Sequence, residues 1–307
     1  RMPDGFRIDV FANELTNPRT LLVMENGDVY VAEREAGRVT LLRDTNGDGR
    51  ADVRRHVVTG IGEDLAGVHG LATDGRRLFM VTDRELYVAD LGEDGNVGEA
   101  QRVIDDLPDG GQHPNRTMRY RDGVLYLSLG STCNACPEPN EEAATMVRVD
   151  PDTWQREIFA EGLRNTIGFD WHPQTGAFWG MDHATDWRGD AFPREELNLL
   201  QEGRHYGWPF CAEKQRVDPL MHADPPDGMG RTEFCRNTEP SVLEYTAHAA
   251  PMVMEFYRGD MFPAEYRNDA FVAMRGSWNR SEPVGYSVVR IRFDEQGSPT
   301  GFEDFIT

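Results

Sequence analysis

The sequence predicts an all-β chain, a six-bladed β-propeller with about five blades represented in its 307 residues. Three observations predict it. A short unit recurs along the chain, a Gly or Asp turn followed by an apolar–aromatic–apolar strand. Its first intervals are roughly 50 residues, the spacing of four-stranded blades. No long stretch carries the 3.6-residue periodicity of an amphipathic helix.

The recurring strands begin at Gly27-Asp-Val-Tyr-Val31, followed by Leu78–Val81 with Leu86-Tyr-Val88 close behind. They return at Gly123-Val-Leu-Tyr-Leu127, at Gly176-Ala-Phe-Trp179 and at Ala270-Phe-Val-Ala273. Val284–Phe293 alternates as a half-buried strand does. The interval before the last unit nearly doubles, which places a Pro-, Cys- and Gly-rich insertion at residues 200–250. Only Pro193–Gln201 is expected to form a short helix. A β-sandwich accounts for the strands but not for the period. Residues 1–307 are therefore expected to be a single propeller domain. No sixth unit precedes Thr307, and an open propeller leaves raw strand edges. The closing C-terminal blade is expected to lie outside this sequence.

Composition narrows the function. The net charge of −21, from 53 acidic against 32 basic residues, repels phosphate backbones and anionic lipid. Nucleic acid and membrane surfaces are thus poor partners. No apolar stretch approaches the roughly 18–20 residues of a membrane span. Arg1-Met2-Pro3-Asp4 does not read as a signal peptide, so any export signal is expected to have been removed or left out. The basic residues are almost all arginine, with Lys214 the one lysine. A GC-rich genome and a salty habitat account for that equally, and neither bears on chemistry.

The four cysteines fall into two local sets, Cys133/Cys136 and Cys211/Cys235. Pro137 stands where a c-type haem motif needs His, and the second set lacks the spacing of a zinc site. Local grouping predicts two structural disulfides, Cys133–Cys136 and Cys211–Cys235, and an oxidising compartment, periplasmic or secreted.

Three loops carry residues suited to chemistry. Asp44, Asn46, Asp48 and Asp52, with Gly49 at the turn, follow the first half of an EF-hand loop. Arg55 replaces the bidentate Glu, and an acidic turn between blades is the competing reading. Met181–Asn198, followed by Gly203–Pro209, combines carboxylates, His183 and aromatic residues directly after a strand, where propeller loops line a pocket. Its hard oxygen ligands favour calcium or magnesium over zinc. Gly110-Gly-Gln-His-Pro-Asn-Arg-Thr117 offers Gln112 and His113 on a glycine-led loop, and Arg164-Asn165 adds a cation and an amide able to grip a carboxylated cofactor. Neither a dinucleotide-binding glycine fingerprint within a βαβ unit nor a P-loop occurs.

With these loops the chain resembles the soluble pyrroloquinoline-quinone-dependent glucose/sorbosone dehydrogenase family, nearest to L-sorbosone dehydrogenase-like bacterial proteins. The resemblance rests on Pro3–Arg7, Gly130–Cys136, Glu161-Gly-Leu-Arg-Asn165, Glu196-Leu-Asn198, His205-Tyr-Gly-Trp-Pro209, Phe256–Tyr266 and Gly276-Ser-Trp-Asn-Arg-Ser281. It implies a quinoprotein that oxidises the C1 hydroxyl or aldehyde hydrate of a sugar by calcium-assisted hydride transfer to pyrroloquinoline quinone. His113 is implied as general base, taking the anomeric proton as a neutral imidazole. Arg164 shares the catalytic centre. Cofactor contacts are implied for Gln112, His113, Arg164, Asn165 and His183, with Arg275 and Arg280 as further cations for the three carboxylates of the quinone. Active-site calcium is implied on the carbonyls of Ala184 and Thr185, where the family usually carries Gly-Pro or Gly-Arg, and structural calcium on Glu196. The partners implied are a small sugar and an electron acceptor such as a cytochrome or quinone. With the closing blade and its basic residues outside this sequence, weak quinone binding is expected. A calcium-dependent propeller hydrolase of the lactonase type and a non-catalytic binding propeller are the competing functions.

Overall fold

A computed structural model describes residues 1–62 and 67–307. Five antiparallel sheets in a β-propeller arrangement follow one another along the chain, the number of blades read from the sequence. The first holds β1 (Pro18–Val23), β2 (Val29–Glu33), β3 (Arg38–Arg43) and β4 (Val53–Thr59) in sequential order. The second repeats the pattern with β5 (Gly70–Thr73), β6 (Arg77–Val81), β7 (Leu86–Asp90) and β8 (Gln101–Ile104). The third is built from β9 (Thr117–Arg121), β10 (Val124–Leu129), β11 (Thr145–Val149) and β12 (Arg156–Glu161).

The fourth sheet starts with β13 (Gly168–Trp171), β14 (Phe178–Asp182) and β15 (Glu195–Leu199). The chain then leaves it. β16 (Arg204–His205) joins the edge of β12 in parallel, β17 (Cys211–Ala212) and β18 (Arg216–Val217) form a small hairpin, and α1 (Arg231–Arg236) follows. β19 (Leu243–Tyr245) brings the chain back to pair with β15, so the insertion expected at 200–250 ends before that strand. The fifth sheet is β20 (Pro251–Phe256), β21 (Ala270–Met274), β22 (Ser287–Phe293) and β23 (Pro299–Ile306).

The expected helix at Pro193–Gln201 is instead strand β15. Its Arg-Glu-Glu-Leu-Asn-Leu run suits a helix locally. Pairing on both edges overrides that preference: Gly180 lies opposite Asn198, and Leu197 opposite Leu243. The α-helix of this region is α1, between two turns of the insertion. Both expected disulfides form, and Cys211–Cys235 ties β17 to α1 in a small core with Phe210 and Met221. Among the described residues no helix is long and apolar enough to cross a membrane.

The chain divides into two compact units, Arg7–Leu129 with Val147–Glu157, and Arg1–Phe6 with Gly130–Met146 and Ile158–Thr307. In the first, Tyr30, Ala32, Val39, Leu41, Leu78 and Met80 make a continuous core. In the second, Trp179, Met181, Leu197, Met254, Val272 and Ile291 do so. Inner strands such as β14 are buried on both faces, which explains why they read as apolar runs rather than alternating ones. Close approach of β13 to β20 demands glycine at 168, where a Cβ would lie 2.1 Å from the carbonyl oxygen of Met252. Asp170 of β13 then fastens the two sheets. It accepts from the Phe256 amide and from both terminal nitrogens of Arg258, each at 2.8 Å.

Glu33, at the end of β2, is fully buried. Its carboxylate accepts from Arg38 at 2.8 and 3.0 Å, from the Thr16 amide and from the Thr40 hydroxyl. Burial pushes its pKa up, but the Arg38 fork and these other donors outweigh it together and bring the carboxyl down to about 2 from 4.5. A folded-state pKa below the unfolded value means stability that is complete above about pH 4.5 and is lost as pH falls through about 2. Glu33→Gln is expected to cost about 2–3 kcal/mol at pH 7. In urea denaturation the gap between wild type and variant should close as the pH drops from 4.5 towards 2.

Candidate active site

Asp182 closes β14 inside the second unit and organises the loop that precedes β13. Its buried carboxylate accepts from the backbone amides of Arg164 (3.0 Å) and Asn165 (2.8 Å) and from the Thr166 hydroxyl (2.8 Å). Three donors on one carboxylate hold the turn that presents Arg164 and Asn165. Gly162, two residues earlier, has φ of +69° and would drive a Cβ to within 2.3 Å of the His205 ring, so only glycine lets the chain make this approach.

The guanidinium of Arg164 is 2% exposed. Nε donates to the carbonyl of Asn134 at 2.9 Å, and Nη2 donates to Asn134 Oδ1 at 2.8 Å and to Asp186 Oδ2 at 2.9 Å. Nη1 makes only a 3.5 Å contact with the His183 carbonyl, leaving donor capacity on that side. His183 Nε2 meets the Pro251 carbonyl, which can only accept, so that nitrogen carries the proton. Nδ1 is then an acceptor and takes the Asn165 side-chain N–H at 3.4 Å. Among the described residues the buried Asn165 Oδ1 has no hydrogen-bond partner. Desolvation, reinforced by Arg164 and Arg275, pulls the His183 imidazole down to about 4, so it is neutral at pH 7.

The two remaining arginines differ. Arg280 is committed to carbonyl oxygens of Glu282, Asp190 and Ala247. Arg275 is exposed, and among the described residues its guanidinium has no hydrogen bond or ion pair. It is an available cation near His183.

Carboxylates dominate the other side. Glu195 accepts from the amides of Ala184 and Ala250, both at 2.8 Å, and burial raises it to about 7. Glu196 accepts from the Glu213 amide, and burial together with the charge of Asp182 raises it well above its usual range. Asp182 is raised by burial as well. Asp182, Glu196, Ala184 and Thr185 line a cavity of about 20 Å³, room for one water or ion. Among the described residues no hydrogen bond reaches the carbonyl oxygens of Ala184 or Thr185. Asn198 Oδ1, on the same strand as Glu196, is buried and unpartnered.

The glycine-led loop with Gln112 and His113 belongs to the first unit. His113 is partly exposed and its amide closes a turn on Gly110 at 2.7 Å; Gln112 is exposed. Arg116, fully buried, braces this loop. It donates to the carbonyls of Pro108 (2.7 Å), Asp83 (3.0 Å) and His113 (3.3 Å), while Asp83 accepts from the Gly110 amide at 3.0 Å. The Asp44 loop is also in this unit. Asp44 accepts from the amides of Asn46, Gly47 and Gly49, Asn46 from that of Asp48, and Asp52 from both donors of Thr45. Asp44, Asp48 and Asp52 do not bring three carboxylate oxygens within 4.8 Å of one another. The one such cluster among the described residues is Cys133, Cys136 and Glu138, whose sulfurs are already bonded together.

The second unit thus brings together Arg164, Asn165, His183, Ala184, Thr185, Glu196, Arg275 and Arg280, while Gln112, His113, Asp44, Asn46, Asp48 and Asp52 lie in the first. Sequence reasoning missed the residues that hold them: Asn134, Asp182, Asp186 and Glu195 in one unit, Asp83 and Arg116 in the other. Asn134 alone had a signal, its place between two paired cysteines.

A family model described as TrAA12-like matches residues 1–304. A pyrroloquinoline quinone-dependent sugar dehydrogenase of Hypocrea jecorina (strain QM6a) is 24% identical over 353 residues, covering 99% of this chain and 77% of that protein. The holo form of the pyranose dehydrogenase PQQ domain from Coprinopsis cinerea superposes with a TM-score of 0.82 at 21% identity, covering 100% of this chain and 86% of that one. A calcium structure of Trichoderma reesei family AA12 gives a TM-score of 0.81 at 21% identity, covering 100% and 85%. At these identities the structural likeness is one of fold.

Replacing Asp182 by Ala leaves two backbone amides and a hydroxyl without their acceptor. Asp182→Ala is expected to lower stability by about 2–4 kcal/mol, measured by urea denaturation. A loss below about 0.5 kcal/mol, the scale of a neutral surface change, would mean that the 164–166 turn does not depend on this carboxylate.

Proposed function

This chain belongs to the TrAA12-like family, and we propose that it is a quinoprotein dehydrogenase taking a hydride from C1 of a sugar, with pyrroloquinoline quinone and calcium as its cofactors. When bound, the quinone supplies the electron-pair acceptor and calcium its polarisation. The observation that carries the reading is a set of buried carboxyl groups, Asp182, Glu195 and Glu196, none with an ion pair among the described residues, in the same unit as an exposed cation, Arg275, that has none either.

The residues present fit both groups. Unaccepted carbonyls at Ala184 and Thr185 are hard ligands for calcium at the active site. Glu196, with Asn198 Oδ1 on the same strand, is assigned to a second, structural calcium. Arg275 and the open Nη1 of Arg164 are the donors for cofactor carboxylates, Asn165 Oδ1 accepts a donor from the ligand, and His183 holds Asn165 in that orientation. Arg280 is assigned a structural part, since carbonyl oxygens take its donors. His113, with Gln112 beside it, is assigned to remove the sugar hydroxyl proton, its loop stiffened by Arg116. The Asp44–Asp52 loop is a further candidate calcium site of structural kind. Two disulfides support a periplasmic or secreted location, with a cytochrome or quinone taking the electrons onward.

The test is reconstitution with calcium and quinone, followed by dye-linked oxidation of a panel of aldoses. Turnover should require both cofactors. Lactone hydrolysis with metal alone, and no quinone uptake, would overturn the proposal. His113→Ala should lower turnover by about 10²–10⁴-fold with quinone affinity unchanged, as for loss of a general base. Arg275→Met should weaken quinone binding by about 10- to 100-fold in calorimetric titration, the scale of one charge-assisted contact.

A further inference from the structure

Arg164 is buried, charged and short of freedom. Its guanidinium takes up a fixed orientation because one residue, Asn134, receives two of its donors, through the backbone carbonyl at 2.9 Å and Oδ1 at 2.8 Å. The same side chain reaches the Asp186 backbone from both directions. Nδ2 donates to the carbonyl at 3.0 Å, and Oδ1 accepts the amide at 2.8 Å. Asp186 closes the triangle by pairing with Arg164 Nη2 at 2.9 Å and accepting from Asn279 at 2.9 Å. Asn134 is thus the common partner of the arginine and of the loop that follows His183.

Asn134 stands inside the four-residue ring closed by Cys133–Cys136. The ring is anchored at its entrance. Ser131 donates its amide to the Arg164 carbonyl at 2.7 Å and its hydroxyl to the Cys133 carbonyl at 2.8 Å. Thr132 is held by Glu138 through two bonds, at 2.6 and 2.9 Å. A short ring restricts the backbone torsions of Asn134, which is what makes a bidentate contact to a buried guanidinium cheap in conformational entropy. Both cysteines are partly exposed, whereas Cys211 and Cys235 are 5% and 1% exposed.

We propose that Asn134 is the positioning residue for Arg164 and that the Cys133–Cys136 disulfide sets it, so that quinone affinity follows the redox state of this pair. The inference rests on the quinoprotein reading above. Reduction by a dithiol breaks the S–S bond. Two electrons and two protons pass to Cys133 and Cys136 as thiols, and the dithiol becomes a disulfide. The opened ring releases Asn134, and Arg164 loses the orientation that leaves Nη1 available. The more buried Cys211–Cys235 bond is reduced later.

Quinone affinity of the calcium-loaded chain, titrated by intrinsic fluorescence quenching, tests this in oxidised, dithiothreitol-reduced and reoxidised protein. Mass mapping of alkylated thiols selects conditions in which only Cys133 and Cys136 are open. The expected result is a Kd raised by about 10- to 100-fold on reduction and restored on reoxidation. Oxidised Asn134→Ala should show the same weakening and no further change on reduction, a non-additivity that a general loss of stability would not produce. Cys133→Ser/Cys136→Ser gives the same readout should Asn134→Ala fail to fold. Oxidised wild type that takes up no quinone would sink the quinoprotein reading itself. Wild-type binding that reduction leaves unchanged, or additive losses in Asn134→Ala, would sink this inference alone.

Discussion

Burying a carboxylate obliges a fold to surround it with donors, and the end of β14 is built around that obligation. Asp182, Glu195 and Glu196 are buried in the adjacent strands β14 and β15, where Asp182 lies opposite Glu196. Among the described residues none of the three has an arginine ion pair; backbone amides and a hydroxyl serve them instead. Together these bonds pin four pieces of chain: the 164–166 turn, the Ala184 loop, the approach to β20 and the insertion. The loops are therefore arranged around buried carboxyl groups, whose pKa values burial raises.

Arginines brace other parts of the fold, and the guanidinium's planar fork explains the manner of their use. Arg116, Arg164 and Arg258 each reach two or more acceptors, several of them backbone carbonyls. A lysine ammonium presents its donors from a single point and cannot span such sets. The fork lets one side chain brace a whole loop, as Arg116 does beneath His113. Arg275, itself exposed, differs from these three in that among the described residues its guanidinium has no hydrogen bond or ion pair.

The strand plan was legible in the sequence because it rests on local patterns. Turn glycines and apolar–aromatic runs located a strand in every blade, and the two cysteine pairs were readable from proximity. The resemblance brought forward Arg164, Asn165, Ala184, Thr185 and Glu196, which fall in one unit, and His113, which falls in the other. Asp182, Glu195 and Arg116 escaped notice, since a lone Asp, Glu or Arg in a sequence gives no hint that it will be buried.

By itself, then, the sequence determined the all-β architecture, the order of the blades and the covalent ties, all of which depend on neighbours close along the chain. Tertiary structure alone decided that Glu195–Leu199 is a strand, that Arg280 is consumed by carbonyls while Arg275 is not, and that three carboxyl groups are buried in the paired strands β14 and β15. The physical reason is that solvation and hydrogen-bond pairing are properties of surroundings. Those surroundings are assembled from segments far apart in the chain, as when Ala250 and Ala184 meet on a single carboxylate, that of Glu195.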